Sequence, residues 1–381
     1  MTYPRYRIPF FQPLPPLDLI AGTGDLTGSF PFSSPRIQHY YLARNAIWYG
    51  LDSLGLKPGD EVLLPAYHHG VEVEVLLAKG LKPRFVRVDE EARLHPEDVE
   101  RALTPGVKAI YVIHYFGFPQ PIEQILALAR RRGLMLIEDC ALSLFSAGPR
   151  GALGSFGDIG IFCLYKTLPM PHGGTLVLNR EGIPRPPEAK RPDHVSTFSY
   201  ITNLLLDYVA LRMDGAGSRV VALGKHFGRA GKRAMRAETV PIDTTTLDTR
   251  VIPLGMAAAA RYLLRRTRPP EVIRARRRNF QHLASLLKGS VRPLFRELPE
   301  GVCPLSYPVF VHDKERVHEE LLAEGVGNVN FWSLTRPEMP MGTFPEVDSL
   351  RKHVLELPIH QGLEPKHVEF IAERAAKKVI W

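Results

Sequence analysis

The chain has 381 residues, 45% of them apolar, enough to bury a sizeable core and to build more than one domain. Its net charge of +9 suits nucleic acid, an anionic membrane surface or acidic small molecules alike, and composition does not choose among them. Cys140, Cys163 and Cys303 are too few and too scattered for a disulfide framework or a C-x-x-C metal cluster. With no signal-peptide order after Met1 and no run of membrane-spanning length, a cytoplasmic location is expected.

From about residue 40 helical and strand-like segments alternate. Ala43 to Leu56 has apolar residues at helical spacing and ends in Lys57-Pro-Gly-Asp60, a turn. Glu61 to Pro65 reads as a strand, Val71 to Lys79 as a helix, and Arg84 to Val88 as a strand. A helix from Pro96 to Leu103, a strand from Ala109 to Ile113, a helix from Ile122 to Arg132 and a strand from Leu134 to Ile137 follow. Strands at Ile159 to Leu164 and Thr175 to Leu178 complete the series. This order predicts a largely parallel sheet covered by helices, with ligands at the carboxyl ends of its strands.

Residues 181 to 245 break the rhythm. A proline-rich loop leads to an amphipathic helix, Tyr200 to Met213, and then to a basic run, Lys225, Arg229, Lys232, Arg233 and Arg236. After Ile252-Pro253 come a long Ala/Arg-rich helical region to Leu287, a strand near Tyr307 to Val311, a helix from Val317 to Glu324 and a last helix from Pro365. The expected division is a large domain over 1–245, with an irregular basic insertion at about 181–245, and a smaller α+β domain over 246–381. Both the basic run and Arg261 to Arg278 read as solvated helix faces.

Three stretches carry chemistry. Leu136-Ile-Glu-Asp-Cys-Ala141 is an apolar strand ending in two carboxylates, where Asp139 is a helix cap, a surface group or a catalytic group. Gly157 to Gly174 runs from an apolar strand into Lys166 and then through two prolines and two glycines. A desolvated lysine there becomes a nucleophile toward carbonyls, and a solvated one is simply a strand end. Pro65-Ala-Tyr-His-His69-Gly70 offers flat side chains that stack on an aromatic cofactor or pack a core. No partner stands at ligand spacing from its two histidines, so no metal site is expected.

Taken together these stretches resemble the DegT/DnrJ/StrS family of pyridoxal-phosphate (PLP) sugar aminotransferases. The likeness runs in order through Gly55-Leu-Lys-Pro-Gly-Asp-Glu-Val62, Pro65 to Val71, Gly80 to Asp89, His114-Tyr-Phe-Gly117, Ile137 to Ala141, Gly154 to Phe162, Gly173-Gly174 and Leu355-Glu-Leu-Pro-Ile-His360. The resemblance implies an α/β, aspartate-aminotransferase-like PLP fold (fold type I). It makes Lys166 the lysine that forms the Schiff base and carries protons, and Asp139 the carboxylate that keeps the ring nitrogen protonated so that the ring accepts an electron pair. It places His69 over the ring, Arg44 and Asn45 at the phosphate-binding helix start, and Cys163 near a phosphate-binding serine position.

The same resemblance implies a homodimer that moves an amino group, in the family usually from glutamate, onto a keto sugar attached to a nucleotide, with no nucleic-acid partner. Several departures stand out. Ala43-Arg44 replaces a Gly-Thr pair, Leu142 stands where Gln or His bonds the cofactor's 3′-oxygen, the segment before Lys166 is shorter than usual, Cys163 stands near where a phosphate-binding serine is expected, and no Asn-x-Arg is found near residue 250. They leave room for a binding or regulatory protein with little turnover. Lys166 itself separates the chain from family dehydratases, which carry histidine there. The helix and basic run over 200–236 also raise contact with a membrane surface, against a dimer interface or core.

Overall fold

The computed structural model describes residues 4–20, 22, 24–213, 246–330, 332–333, 336–379 and 381. The basic run from Lys225 to Arg236 lies outside them. Among the described residues no helix is long and apolar enough to cross a membrane.

The chain first forms β1 (Ile37–Tyr40) and α1 (Ala43–Ser53), then β2 (Glu61–Pro65), α2 (Val71–Ala78), β3 (Lys82–Val86) and α3 (Pro96–Ala102). β4 (Val107–Ile113), α4 (Ile122–Arg132) and β5 (Met135–Cys140) follow. A short hairpin, β6 (Ala147–Gly148) and β7 (Gly151–Ala152), precedes β8 (Ile159–Cys163) and β9 (Gly174–Leu178). Seven strands form one sheet in the order β1-β9-β8-β5-β4-β2-β3, parallel from β8 to β3 and antiparallel at β9. β8 is buried at every residue and β5 at all but its first, as a sheet covered on both faces requires. α4 shows why its sequence is helical: Ile122, Ile125, Leu128 and Ala129 line one buried face, and left-handed Gly133 ends it.

α5 (His194–Arg212) is capped by Asp193, whose carboxylate accepts from the Val195 and Ser196 amides. The Ala/Arg-rich region is two helices, not one: α6 (Ala258–Leu264) and α7 (Pro269–Leu286), because Pro269-Pro270 can only open a new helix. β10 (Arg292–Pro293), β11 (Ser306–Phe310) and β12 (Val354–Pro358) make a second, antiparallel sheet. α8 (Lys314–Ala323), α9 (Pro345–His353) and α10 (Pro365–Lys378) complete the chain. β1, α9 and β12 carry no strong periodic signal and were not expected. In the basic stretch 261–278, Arg268, Arg274 and Arg278 are exposed as predicted, whereas Arg276 is 1% exposed.

The N-terminal segment ties these parts together. Ile8 exchanges backbone bonds with Gly325 and Gly327, and Gln12 bonds both His360 and Gly362. One apolar core runs from Tyr6 and Ile8 through the large sheet to Phe280, Tyr307 and Leu357.

Candidate active site

The carboxyl ends of β2, β5 and β8 meet the turn that follows β8. Of the two adjacent carboxylates in β5, the pleat sends one to each face. Glu138 accepts from the backbone amides of Gly154 (2.9 Å), Phe156 (2.6 Å) and Gly157 (2.6 Å) and bonds His114 Nε2 at 3.1 Å. His114 Nδ1 in turn accepts from the Gln120 amide at 3.1 Å, so the Glu138 bond is donated by a neutral ring. His114, Glu138 and Cys140 bring possible metal-ligand atoms together, but the histidine and glutamate atoms are engaged in these bonds. Glu138 therefore holds the 154–157 loop.

Asp139 faces the other way. Its Oδ2 accepts from Tyr111 Oη at 2.6 Å and its Oδ1 from the Ala141 amide at 2.8 Å. Burial pushes this carboxyl up, while those two donors and the charge of Lys166 pull it back. Lys166 is not the last residue of the strand but lies in the turn three residues beyond Cys163, half-buried and close enough to act on Asp139, His69 and Glu72. The turn is fixed from the C-terminal part of the chain. The Thr167 carbonyl accepts from Arg276 Nη2 (3.1 Å) and Gln361 Nε2 (2.9 Å), and Gln361 directly follows the Leu355 to His360 motif.

The three rings after β2 divide. Tyr67 is buried against Tyr115 and Trp332, His68 stacks on Phe85 with ring centres 5.4 Å apart, and His69 alone turns toward Lys166 and Arg44. Burial first, then the Lys166, Arg44 and Arg351 cations, push the His69 pKa down to about 3, so its ring is neutral. Its Nδ1 is buried with no hydrogen-bond partner among the described residues. The loop that carries it is rigid. Arg351 donates to the Ala66 (3.0 Å) and His68 (3.2 Å) carbonyls, and Tyr115 Oη donates to Tyr67 O at 2.6 Å.

α1 begins beside this cluster. A Cβ on Gly174 would stand 2.1 Å from Leu42 O and 2.5 Å from Ala43 N, so only glycine lets β9 approach the helix start. Arg44 is buried and Nη1 donates to Thr246 O at 2.9 Å. Asn45 turns away: its amide donates to the Val251 (2.8 Å) and Leu254 (3.1 Å) carbonyls. Cys163 ends β8 fully buried, and burial raises its thiol pKa.

The structure thus gathers Lys166, Asp139, His69 and Arg44, keeps Cys163 beneath the lysine turn, and gives the Asn45 side chain to the 251–254 loop. Sequence reasoning missed Tyr111, Arg351 and Glu72. Glu72 had a signal, since it follows His69 by three residues at a helix start, as did Tyr111, which shares the face of Ile113 in the strand beside Asp139.

Residues 43–185 match the DegT/DnrJ/EryC1/StrS aminotransferase family. The chain is 36% identical over 137 residues to a GDP-perosamine synthase of Escherichia coli O157:H7, covering 35% of this chain and 38% of that protein. It is 37% identical over 124 residues to a UDP-N-acetyl-3-dehydro-alpha-D-glucosamine 3-aminotransferase of Acidithiobacillus ferrooxidans, covering 32% and 34%. The matched part spans well under half the length of these curated relatives. The fold extends further. The PLP form of a putative sugar aminotransferase, Spr1654 of Streptococcus pneumoniae, superposes with a TM-score of 0.69 at 16% identity over 99% of this chain and 100% of that one. Residues 43–185, which hold Arg44, His69, Asp139 and Lys166, are thus similar to the DegT/DnrJ/EryC1/StrS aminotransferase family, and the whole chain has the fold of that solved structure.

Proposed function

We propose that the protein is a PLP-dependent transaminase that moves an amino group, from glutamate, onto a keto sugar carried on a nucleotide. The observation that carries this reading is the meeting of a buried, doubly hydrogen-bonded Asp139 carboxylate, the Lys166 amine and a neutral His69 ring whose Nδ1 has no partner among the described residues. These residues fit the cofactor. Asp139 would hold its ring nitrogen, His69 would cover its ring, Lys166 would bond its aldehyde, and the start of α1 with Arg44 would receive its phosphate. Bound there, PLP supplies an electron sink that makes a proton on the donor's α-carbon removable.

The chain's own groups do the rest. Tyr111 and Ala141 donate to the Asp139 carboxylate and favour its ionised form, which would hold a proton on the cofactor's ring nitrogen. The Lys166 amine takes the proton that leaves the donor carbon and returns one to the sugar carbon. His69, uncharged, covers the site without competing for that proton. Arg44 adds positive charge toward an anion at the α1 start.

We further propose that the domains divide near residue 245 and that the protein works as a cytoplasmic homodimer. α5 presents Val195 and Phe198, 47% and 72% exposed, an apolar face suited to a second copy rather than to a membrane surface. Protein incubated with PLP is expected to gain a visible absorption band that Lys166→Ala lacks, and glutamate is expected to bleach it. Absence of the band, or its survival unchanged in Lys166→Ala, refutes the reading. A band untouched by a panel of amino donors supports a binding protein instead.

A further inference from the structure

The site offers a bound cofactor two anchors, the Lys166 amine in the loop after β8 and the start of α1, and a pair of buried rings joins them. The Leu164 amide donates to Gly173 O at 2.8 Å and closes the loop that carries Lys166. Arg276 and Gln361 hold this loop at Thr167 O. His172 holds its other end. Its ring is fully buried and stacks on the equally buried Tyr41, with ring centres 3.9 Å apart and planes 21° apart. Tyr41 directly precedes Leu42, the N-cap of α1, and its amide donates to Leu254 O at 3.0 Å. His172 Nε2 also bonds Thr197 Oγ1, near the start of α5, at 3.2 Å.

Backbone pairing makes the junction close without fixing the loop. β1 and β9 pair Tyr40 with Gly174, and the Gly174 backbone lies against Leu42 O. The stack extends that fixed point back to His172, inside the lysine loop. Burial pushes the His172 pKa down to about 3, so the ring is neutral and packs as a flat side chain without adding charge to the site.

We propose that His172 is a positioning residue whose stack on Tyr41 sets the spacing between the Lys166 amine and the phosphate-receiving start of α1, with the Thr197 bond orienting the ring. The inference rests on the reading that the site holds PLP. A ligand tied at both ends gains affinity only where the spacing fits, whereas a ligand tied at one end is indifferent to it.

The test compares two ligands. PLP offers an aldehyde to Lys166 and a phosphate to α1, while pyridoxamine 5′-phosphate has no aldehyde and keeps the phosphate anchor alone. Dissociation constants for both are measured on the native protein, His172→Ala and His172→Phe. His172→Ala is expected to bind PLP about tenfold more weakly, the worth of one aromatic stack, and pyridoxamine 5′-phosphate within about twofold of the native protein. His172→Phe keeps a flat ring and is expected to bind PLP within about threefold of the native protein. Loss of global stability alone would not separate the two ligands. Equal weakening of both, an unchanged PLP affinity in His172→Ala, or no recovery in His172→Phe overturns the proposal and leaves the PLP reading intact. If the native protein binds neither ligand, the functional reading fails and the proposal falls with it. Should His172→Ala not fold, Tyr41→Leu removes the same stack from the other ring and carries the comparison.

Discussion

Replacing Arg276 by methionine sets two sizeable effects against each other. The guanidinium has no carboxylate partner among the described residues and bonds only neutral acceptors: Gln361 Oε1 (2.9 Å), Leu305 O (2.8 Å), Pro304 O (3.3 Å) and Thr167 O (3.1 Å). Burial pushes its pKa from 12.5 down to about 10, a desolvation penalty of roughly 3 kcal/mol that methionine removes. Against this, Thr167 O keeps Gln361 as donor, but Leu305 O, Pro304 O and Gln361 Oε1 lose theirs. Orphaned buried acceptors cost about 1–3 kcal/mol each, roughly 5 kcal/mol for two strong bonds and one long one. Arg276→Met is therefore expected to destabilise the apo-protein by about 2 kcal/mol, a fall in Tm of roughly 3–5 °C. The lysine turn should loosen with it, read as faster hydrogen exchange at the Leu168 amide, which bonds Leu164 O at 2.8 Å. Circular-dichroism melts with exchange mass spectrometry check both. A variant as stable as the native protein, or more so, refutes the reasoning, because desolvation would then outweigh the hydrogen bonds.

The two neighbouring carboxylates of β5 should separate cleanly. Asp139→Asn is expected to fold normally and to lose about 30- to 100-fold in PLP affinity, the worth of one charge-assisted contact. Glu138→Gln turns an amide toward three backbone donors and is expected to cost roughly 3–5 kcal/mol of stability in unfolding melts. Gly174→Ala forces α1 off β9 and is expected to cost about 3 kcal/mol and to weaken PLP binding, measured by melting and by titration. Glu356, fully buried and bonded by the Ser306 hydroxyl, has its carboxyl pushed from 4.5 up to about 7 by burial. The folded state then holds a proton that the unfolded state has released, so this stability is full below about pH 4.5 and is lost as pH rises through about 7, some 3 kcal/mol in all. Glu356→Gln should flatten that decline; melts whose pH dependence is unchanged would count against it.

Much of the fold and the centre of the site were legible in the sequence. The β2-to-β9 series follows from alternating periodicities, since a buried parallel strand is a short apolar run and a covering helix shows apolar residues three and four apart. The strand-end positions of Asp139 and His69 follow from the same pattern. Yet at Asp139 and Lys166 local sequence favoured a structural role, and only the ordered set of motifs pointed to a catalytic one. β1 and β12 escaped because four- and five-residue strands have too few positions to display a period, and their pairing partners are distant in the chain.

The sequence by itself determined the parallel sheet, its order of elements and the placement of Asp139 and His69 at strand ends, because all three depend on local periodicity. Only the tertiary structure decided that Glu138 serves the 154–157 loop while Asp139 faces Lys166, that the Asn45 side chain turns to the 251–254 carbonyls, and that Arg276 and Gln361 fix the lysine turn from over 100 residues away. Those assignments depend on which groups share a desolvated space, and the cost of burying a polar group is set by its neighbours in space, not by its neighbours in the chain.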